Sequence, residues 1–346
     1  MIFKNLSPNT KVWVYVSKTP LVNIDFEDIS IKFTQFFSNA LQLNPALAGR
    51  DLSPRFHTTY RNQWPEINNA FVTYNIEYDQ FSDKLHGGVG FQLLHDKSGN
   101  GSLNTTAFST MYSYQAILNQ KWTINFGLKA SFVQKSLDWG NVIWGDQIDP
   151  SQGVINPTQQ AQGNNGLYID FSSGFILFSK NLFLGASFDH LNKPNETFFY
   201  NITDNNALNK IPIRSSFHGG YKIKILQNGL FHKELFLSPE FVIDLQSNLK
   251  RYNFGTYFVD GMFDLGFWYR HTRFLDANSE NFSPQDAFVI VIGIEKNKMR
   301  FGYSYDFNIS NLTTSSLGSH EISFSIDLPE KRVHNSKFRV VECPQF

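Results

Sequence analysis

The run MRFGYSYDF, residues 299–307, decides the fold because its large apolar side chains recur at every second position. The apolar positions are Met299, Phe301, Tyr303, Tyr305 and Phe307. Small or polar residues occupy the positions between them. Successive side chains of a β-strand point to opposite faces, so this period of two predicts a strand with one apolar face and one polar face.

The same period recurs along most of the chain, for example in residues 72–79, 122–132 and 322–328. Applied throughout, it predicts about fourteen strands, near residues 56–62, 70–80, 85–95, 103–117, 121–133, 166–180, 182–192, 213–226, 234–245, 250–259, 262–270, 287–295, 298–307 and 318–328. Most are longer than the usual soluble strand of about 5–6 residues. They approach the span of a tilted membrane strand, about 9–11 residues.

The lengths of the predicted connections alternate along the chain. Tight turns follow the even-numbered strands, for instance at Asn181 and at 260–261. Three odd-numbered connections are long and cover residues 134–165, 193–212 and 271–286. Outer-membrane barrels have an even strand number, short periplasmic turns and long extracellular loops. The sequence therefore predicts an all-β fold, a transmembrane antiparallel β-barrel in the cell outer membrane.

The composition excludes several other classes of protein. The 346 residues are 41% hydrophobic and only 17% charged, yet no apolar run reaches the roughly 18 residues of a transmembrane helix. Lys and Arg total 30, as do Asp and Glu, so the basic surplus of a nucleic-acid-binding protein is missing. The single cysteine can form no internal disulfide. A soluble β-sandwich would also alternate apolar and polar residues and stays open as an alternative.

Four segments follow from the strand pattern. Residues 1–32 lack the basic, apolar and small-residue regions of a signal peptide, so we expect the signal upstream or a different native start. Residues 33–55 contain the apolar run LNPALAG (43–49), interpreted either as a periplasmic lead-in or as a hatch inside the lumen. Residues 56–328 form the predicted barrel, and residues 329–346 form a C-terminal periplasmic tail.

No pattern of catalytic or metal-binding residues stands out. The sequence has no GxSxG elbow, no P-loop and no dinucleotide fingerprint at a strand-to-helix boundary. Residues 96–101 resemble the start of an EF-hand loop, but Ala107 occupies the twelfth position, where calcium needs a bidentate Glu. The nine histidines lack metal-ligand spacing. We therefore predict a protein that is not an enzyme, with no cofactor and no metal.

Blocks of sequence in a fixed order connect the chain to a known family. They are FTQFFSNALQLNPALAG (33–49), YRNQWP (60–65), YDQ (78–80), LHGGVGFQLLHDKSGNG (85–101), YSYQ (112–115), LDWGNVIWGDQID (137–149), DHLNKPNE (189–196), FGYSYDF (301–307) and GSHEISFS (318–325). In these blocks the chain closely resembles the PorP/SprF-like outer-membrane proteins of type IX secretion in Bacteroidota. The resemblance implies a barrel that helps secrete cargo with type B C-terminal sorting domains, such as gliding-motility adhesins, and anchors it at the cell surface. It also implies other type IX secretion components as partners.

Two regions on the long-connection side are candidate partner-binding sites. Trp64 and Pro65 lie in the connection after the first predicted strand, on the side of the long connections. The indole ring of Trp64 is either an anchor at the membrane interface or a partner-binding group. The longest connection supplies the other candidates: Trp139, Trp144, Asp146 and Asp149. Exposed tryptophans are frequent energetic anchors of interfaces. The alternative is that residues 137–149 fold back onto the barrel rim as a structural lid.

The runner-up function is an outer-membrane transporter or channel for a hydrophobic small molecule. It is motivated by the Asn-Pro-Ala segment at 44–46, because a similar segment occurs in long-chain fatty-acid transporters. A transporter needs a continuous apolar path through the lumen, whereas an anchor needs only exposed loops. The character of the lumen therefore distinguishes the two functions.

Overall fold

A computed structural model describes residues 33–51, 53–66, 71–99, 103–138, 147–149, 153–157, 165–195, 210–226, 234–274, 285–309 and 318–329. The strands in these residues are β1 (Arg55–Gln63), β2 (Phe71–Ser82), β3 (Gly87–Ser98), β4 (Leu103–Ile117), β5 (Thr123–Leu137), β6 (Ile148–Asp149), β7 (Gly153–Val154), β8 (Gly166–Phe178), β9 (Leu182–Asp189), β10 (Arg214–Tyr221), β11 (Ile223–Leu226), β12 (Leu235–Gln246), β13 (Leu249–Asp260), β14 (Phe263–Phe274), β15 (Gln285–Lys296), β16 (Met299–Asn308) and β17 (Ser319–Asp327). β10 and β11 flank Lys222 and together form one wall strand, whereas β6 and β7 make a separate hairpin. Fourteen strands therefore build the wall.

The wall is an up-and-down meander in which each strand pairs antiparallel with its neighbours in the chain. β1 also pairs with β17, and β10 pairs with both β9 and β12, so the sheet closes on itself. A closed sheet has no free edge and satisfies its backbone hydrogen bonds internally, as hydrocarbon surroundings require. The predicted fourteen-stranded barrel is confirmed. The soluble sandwich is wrong, because one sheet closes instead of two sheets packing face to face.

The two faces of the wall differ as the period of two predicts. Outward side chains such as Phe132 and Phe301 are 51% and 49% exposed. Inward side chains such as Ser304 and Glu321 are completely buried. An apolar outer band around a polar inner wall is the arrangement of an outer-membrane barrel.

Several strands run further toward the long connections than the sequence predicts. β5 continues to Leu137, although the strand predicted from the alternation ends near residue 133. Beyond that point Lys135 points inward and is buried. From the sequence alone, a lysine at this point suggests that the strand has ended and a loop has begun. The lumen that accepts the lysine is formed by strands distant in sequence, so no local pattern predicts it.

The two ends of the barrel carry different connections. Tight turns such as Gly261–Met262 and Asn297–Lys298 lie at one end, and positive φ angles of 61° at Gly261 and 53° at Asn297 allow the chain to reverse. Most connections at the other end are longer, and one of them contains the β6–β7 hairpin. We call these the short-turn end, which is periplasmic, and the long-loop end, which is extracellular.

Residues 33–51, which we call the plug, lie inside the barrel. The plug contains α1 (Ala40–Leu43) and a 3-10 turn (Pro45–Leu47), and a second 3-10 turn spans Asp83–Leu85 in a short connection. Ala40 and Ala46 are completely buried. None of the helices within the described residues is long and apolar enough to span a membrane.

Candidate functional site

The plug begins at the long-loop end, among charged wall residues that we call the upper clamp: Arg61, Arg270, Asp306 and Glu321. The hydroxyl oxygen of Thr34 lies 2.9 Å from both carboxylate oxygens of Asp306, to which it donates. The same oxygen accepts hydrogen bonds from Arg61 at 2.8 Å and from Arg270 at 3.1 Å. Both arginines also bind Asp306, at 3.0 and 2.9 Å. Thr34 therefore joins an ion-paired network that links three strands.

Glu321 of the upper clamp is held by the backbone of the plug. The N–H groups of Thr34 and Gln35 donate to its two carboxylate oxygens, at 2.7 and 3.0 Å. Arg61 binds the same carboxylate at 3.3 Å. A buried charge is costly unless it is paired and hydrogen-bonded. Glu321 is completely buried. The two backbone hydrogen bonds from the plug therefore offset part of the cost of burying its charge.

A second group of charged wall residues, Arg55 and Asp79, holds the other end of the plug near the short turns. We call it the lower clamp. The N–H of Gly49 donates to Asp79 at 2.8 Å, and Arg55 binds the other oxygen of that carboxylate at 2.9 Å. Arg50 of the plug contacts Asp51 at 3.3 Å and donates to the carbonyl of Phe37 at 3.2 Å. Hydrogen bonds to charged wall side chains thus hold the plug at both ends of the lumen.

Between the clamps the plug backbone packs directly against glycines of the inner wall. A Cβ on Gly88 would lie 2.0 Å from the carbonyl oxygen of Ala48, and a Cβ on Gly127 would lie 2.1 Å from the nitrogen of Ala46. No side chain fits at such distances, since the obstacle is backbone. A glycine inside a strand often marks such a close approach of another backbone.

The Asn-Pro-Ala segment is fixed by the side chain of Asn44. Its oxygen accepts from the N–H of Ala46 at 2.9 Å and so caps the 3-10 turn, which begins with Pro45. Its nitrogen donates to the wall carbonyls of Phe175 and Ala186, at 3.0 and 3.1 Å. One side chain therefore shapes the turn and binds it to two adjacent strands.

Aromatic side chains fill part of the space between plug and wall. Phe36 lies 5.1 Å from Trp268, and Phe37 lies 5.2 Å from Phe183, measured between ring centroids. These four residues are buried, together with Tyr257. The apolar part of the described lumen is therefore packed closely around the plug, and the two clamps lie on either side of it.

The predicted partner-binding residues lie only partly within the described chain. Trp64 follows β1 at the long-loop end, where its backbone N–H donates to the carbonyl of Gly318 at 2.9 Å. Its ring is half-buried and packs edge-on against Phe71, with the centroids 5.5 Å apart, and Pro65 follows it. Asp149 belongs to β6, but its side chain and all of Trp139, Trp144 and Asp146 lie outside the described residues. The structure thus places one of the two candidate regions, at the rim.

Sequence reasoning found the facing of the clamp residues but missed the clamps themselves. The alternation places Asp306 and Glu321 on the inner face, where both are observed. Their contacts with Thr34 join residues more than 270 positions apart, so no local pattern reveals them. Isolated charges on the polar face of membrane strands are the only available signal. Within the described residues, no group of three or more His, Cys, Asp or Glu side chains could hold a metal ion.

The comparison with protein families gives a match over most of the chain. The family model described as Type IX secretion system membrane protein PorP/SprF matches residues 26–326, which include the plug and all of the wall except Asp327. The comparison with curated proteins finds no matching sequence.

Several solved structures are similar to the chain, all with low sequence identity. The TodX deltaS2S3 mutant monoaromatic hydrocarbon channel has a TM-score of 0.49 and 11% identity, with 84% of this chain and 94% of that chain covered. The Ralstonia pickettii toluene transporter TbuX has a TM-score of 0.47 and 8% identity, with 84% and 93% covered. CdiB from Acinetobacter baumannii has a TM-score of 0.45 and 7% identity, with 80% of this chain and 60% of that chain covered.

Proposed function

The chain belongs to the PorP/SprF family of type IX secretion system membrane proteins, and from this premise we propose that it helps secrete, and anchors at the cell surface, cargo with type B C-terminal sorting domains. Adhesins, including those of gliding motility, are the proposed cargo in a member of the Bacteroidota. Other type IX secretion components are its proposed partners in the outer membrane. The proposed role is binding rather than catalysis.

The observation that carries this proposal is a plug inside the lumen of a barrel from a secretion family. The plug lies between two ionic clamps, and Thr34 at one end and Gly49 at the other are bonded to buried wall carboxylates. A lumen that holds a bonded plug favours a function carried by the loops rather than by passage through the barrel. Cargo is then held by the long loops while the barrel serves as a rigid membrane base.

We place the cargo contact on the long-loop rim. Trp64 and Pro65 lie at this rim, directly after β1. The connection after β5 holds Trp139, Trp144, Asp146 and Asp149, and it is too long for a simple hairpin. Tryptophan combines a large apolar ring with one hydrogen-bond donor, which suits it to the buried centre of an interface. The competing structural role for these residues is a lid over the rim.

The test replaces Trp139 and Trp144 by Ala together and follows the sorting-domain cargo. We expect the cargo to appear in the medium while the barrel stays inserted and keeps its heat-modifiable migration on gels. Trp122→Ala is the matched control, because Trp122 lies in a short turn at the opposite end. Cargo that remains attached to cells carrying the double variant, with the barrel intact, would assign both tryptophans to the rim structure.

The alternative, a transporter or channel for a hydrophobic small molecule, requires a continuous apolar path. In the described interior, the aromatic cluster around Phe36 and Trp268 is apolar. The path to either mouth passes the ion-paired residues of a clamp, such as Arg61 with Asp306 and Arg55 with Asp79. This supports the anchor over the transporter. Uptake of a monoaromatic hydrocarbon by proteoliposomes of the unaltered protein would favour the transporter instead.

A further inference from the structure

Two cations face each other on the membrane side of the wall at the long-loop end. Lys250, the second residue of β13, lies directly opposite Arg273, the penultimate residue of β14. Both share the outward face with Phe254 and Tyr269, which are 51% and 36% exposed. Directly opposite residues in antiparallel strands have Cβ atoms about 4.5–5.5 Å apart, and like charges there are destabilising.

This arrangement is an exception within the barrel. In every other register of the described strands that sets two charged side chains directly opposite, a cation meets an anion. These pairs are Arg55 with Asp79 and Asp327, Arg61 with Glu321, Arg214 with Asp189, Arg251 with Asp244, and Arg300 with Glu295. The described strands therefore balance charge across their registers consistently, and among the residues that they contain no anion lies opposite Lys250 or Arg273.

Among the described residues, no carboxylate fills that role. On the outward face of the neighbouring strand β15, Asp286 lies opposite His271, which is two positions before Arg273 along β14. One of its oxygens binds His271 at 2.7 Å, and the other accepts from the hydroxyl of Tyr269 at 3.0 Å. Neither Lys250 nor Arg273 has an ion pair within the described part of the chain. An anion from outside the protein would relieve the repulsion between them.

The residues beneath the two cations suit the upper part of a lipid. Tyr252 lies opposite His271 on the same face, and their rings stack with centroids 6.3 Å apart. Phe254 and Tyr269 continue this face toward the middle of the wall. Cations at the rim above aromatic rings match a lipid whose anionic headgroup lies at the membrane surface and whose acyl chains descend along the barrel.

We propose that Lys250 and Arg273, with Tyr252 and His271 below them, bind the phosphorylated headgroup of an outer-leaflet lipid. The long-loop end is extracellular, so the outer leaflet is the one that reaches this rim. Phosphate is favoured because two adjacent cations can share its oxygens through charge-assisted hydrogen bonds. The lipid supplies the anion that completes the charge pattern of the barrel. The site is independent of the cargo surface on the loops.

The test uses the full chain in phosphatidylcholine nanodiscs that contain a titrated amount of bisphosphorylated lipid A. Native mass spectrometry counts the lipid A molecules that the protein retains. We expect Lys250→Gln combined with Arg273→Gln to weaken this binding about 30-fold, on the usual contribution of a basic residue at an anionic headgroup. An unchanged affinity in this double variant, with the barrel folded, would overturn the proposal.

Two further arms distinguish a lipid site from a general effect of surface charge and from a site for free phosphate. Lys97→Gln is the matched control, because Lys97 is an exposed outward cation at the same end, opposite Val72 and Asn104. Its affinity for lipid A should stay unchanged. Lys250→Glu creates an ion pair with Arg273, so it should abolish lipid binding and raise the unfolding temperature. Full displacement of lipid A by an equal concentration of inorganic phosphate would overturn the assignment to a lipid.

Discussion

Gly127 and Leu128 are neighbours on β5, yet they meet two different surroundings. The α-carbon of Gly127 touches the plug backbone so closely that a Cβ would collide with Ala46. The side chain of Leu128 is 65% exposed on the outer wall. The inner face packs against the plug, whose shape and charge are fixed. The outer face contacts fluid lipid chains, against which any apolar side chain can pack. Inner substitutions should therefore be judged by what they touch, and outer substitutions mainly by their polarity.

The largest effect is expected where the inner wall carries a buried charge. Arg61→Ala removes the arginine that pairs with Glu321 and one of the two arginines that pair with Asp306, in a buried site. Removing one partner of a buried pair costs about 3–5 kcal/mol. Urea unfolding of the barrel in liposomes would measure the loss. Adding Glu321→Gln should recover part of it, and a double variant as unstable as the sum of the two single variants would argue against their coupling.

The second effect concerns the outer wall. Leu128→Arg places a charge on the lipid side of β5, near the middle of the strand. At the bilayer midplane such a substitution costs about 2–4 kcal/mol. Leu128→Phe is the control, since it keeps the face apolar and should leave the unfolding midpoint almost unaltered. Equal stability of the Arg and Phe variants would mean that this face does not meet hydrocarbon.

A smaller effect should come from shape alone. Gly127→Ala adds one methyl group against the plug backbone, and overpacking of this kind costs about 1–3 kcal/mol. We expect the plug to shift and become cleavable by added protease in an inserted barrel. Gly293→Ala is the control, because its Cβ would meet the side chain of Asp264 at 3.1 Å, with no plug atom among its nearest contacts. Equal protease resistance of both variants would contradict a backbone-tight fit.

The sequence predicts the wall much better than its contents. Alternation in β16 assigns Phe301 to lipid and Ser304 to the lumen, and both assignments are confirmed. This succeeds because facing is a local property with a period of two. The site around Thr34 depends instead on Arg61, Asp306 and Glu321, which come from strands at opposite ends of the chain. Such contacts follow from the closure of the barrel, and no spacing in the sequence encodes them.

The location of residues 33–51 also could not be predicted from local sequence patterns. The run LNPALAG is apolar with a proline break, which fits a lead-in as well as a hatch. Asn44 decides its conformation through a cap on Ala46 and two bonds to wall carbonyls. The assignment of this segment as a hatch or as a periplasmic lead-in stays a prediction. The predicted cargo residues Trp139, Trp144 and Asp146 lie outside the described residues, so they also stay predictions.

Closure of the barrel between β1 and β17 has a consequence for how the protein folds. Glu321 and Ser323 of the last strand bind residues 34 and 35, so the final strand meets the start of the plug across 286 to 288 positions of chain. Contacts of such high sequence separation form late, because the entropy of a long loop must be lost first. Before β17 pairs, the edge of β1 is unpaired. The backbone N–H groups of residues 34 and 35 also lack their acceptor, the carboxylate of Glu321. The plug is then a template for the last step of assembly, and a chain whose plug is misplaced should stall as an open sheet with two unpaired edges.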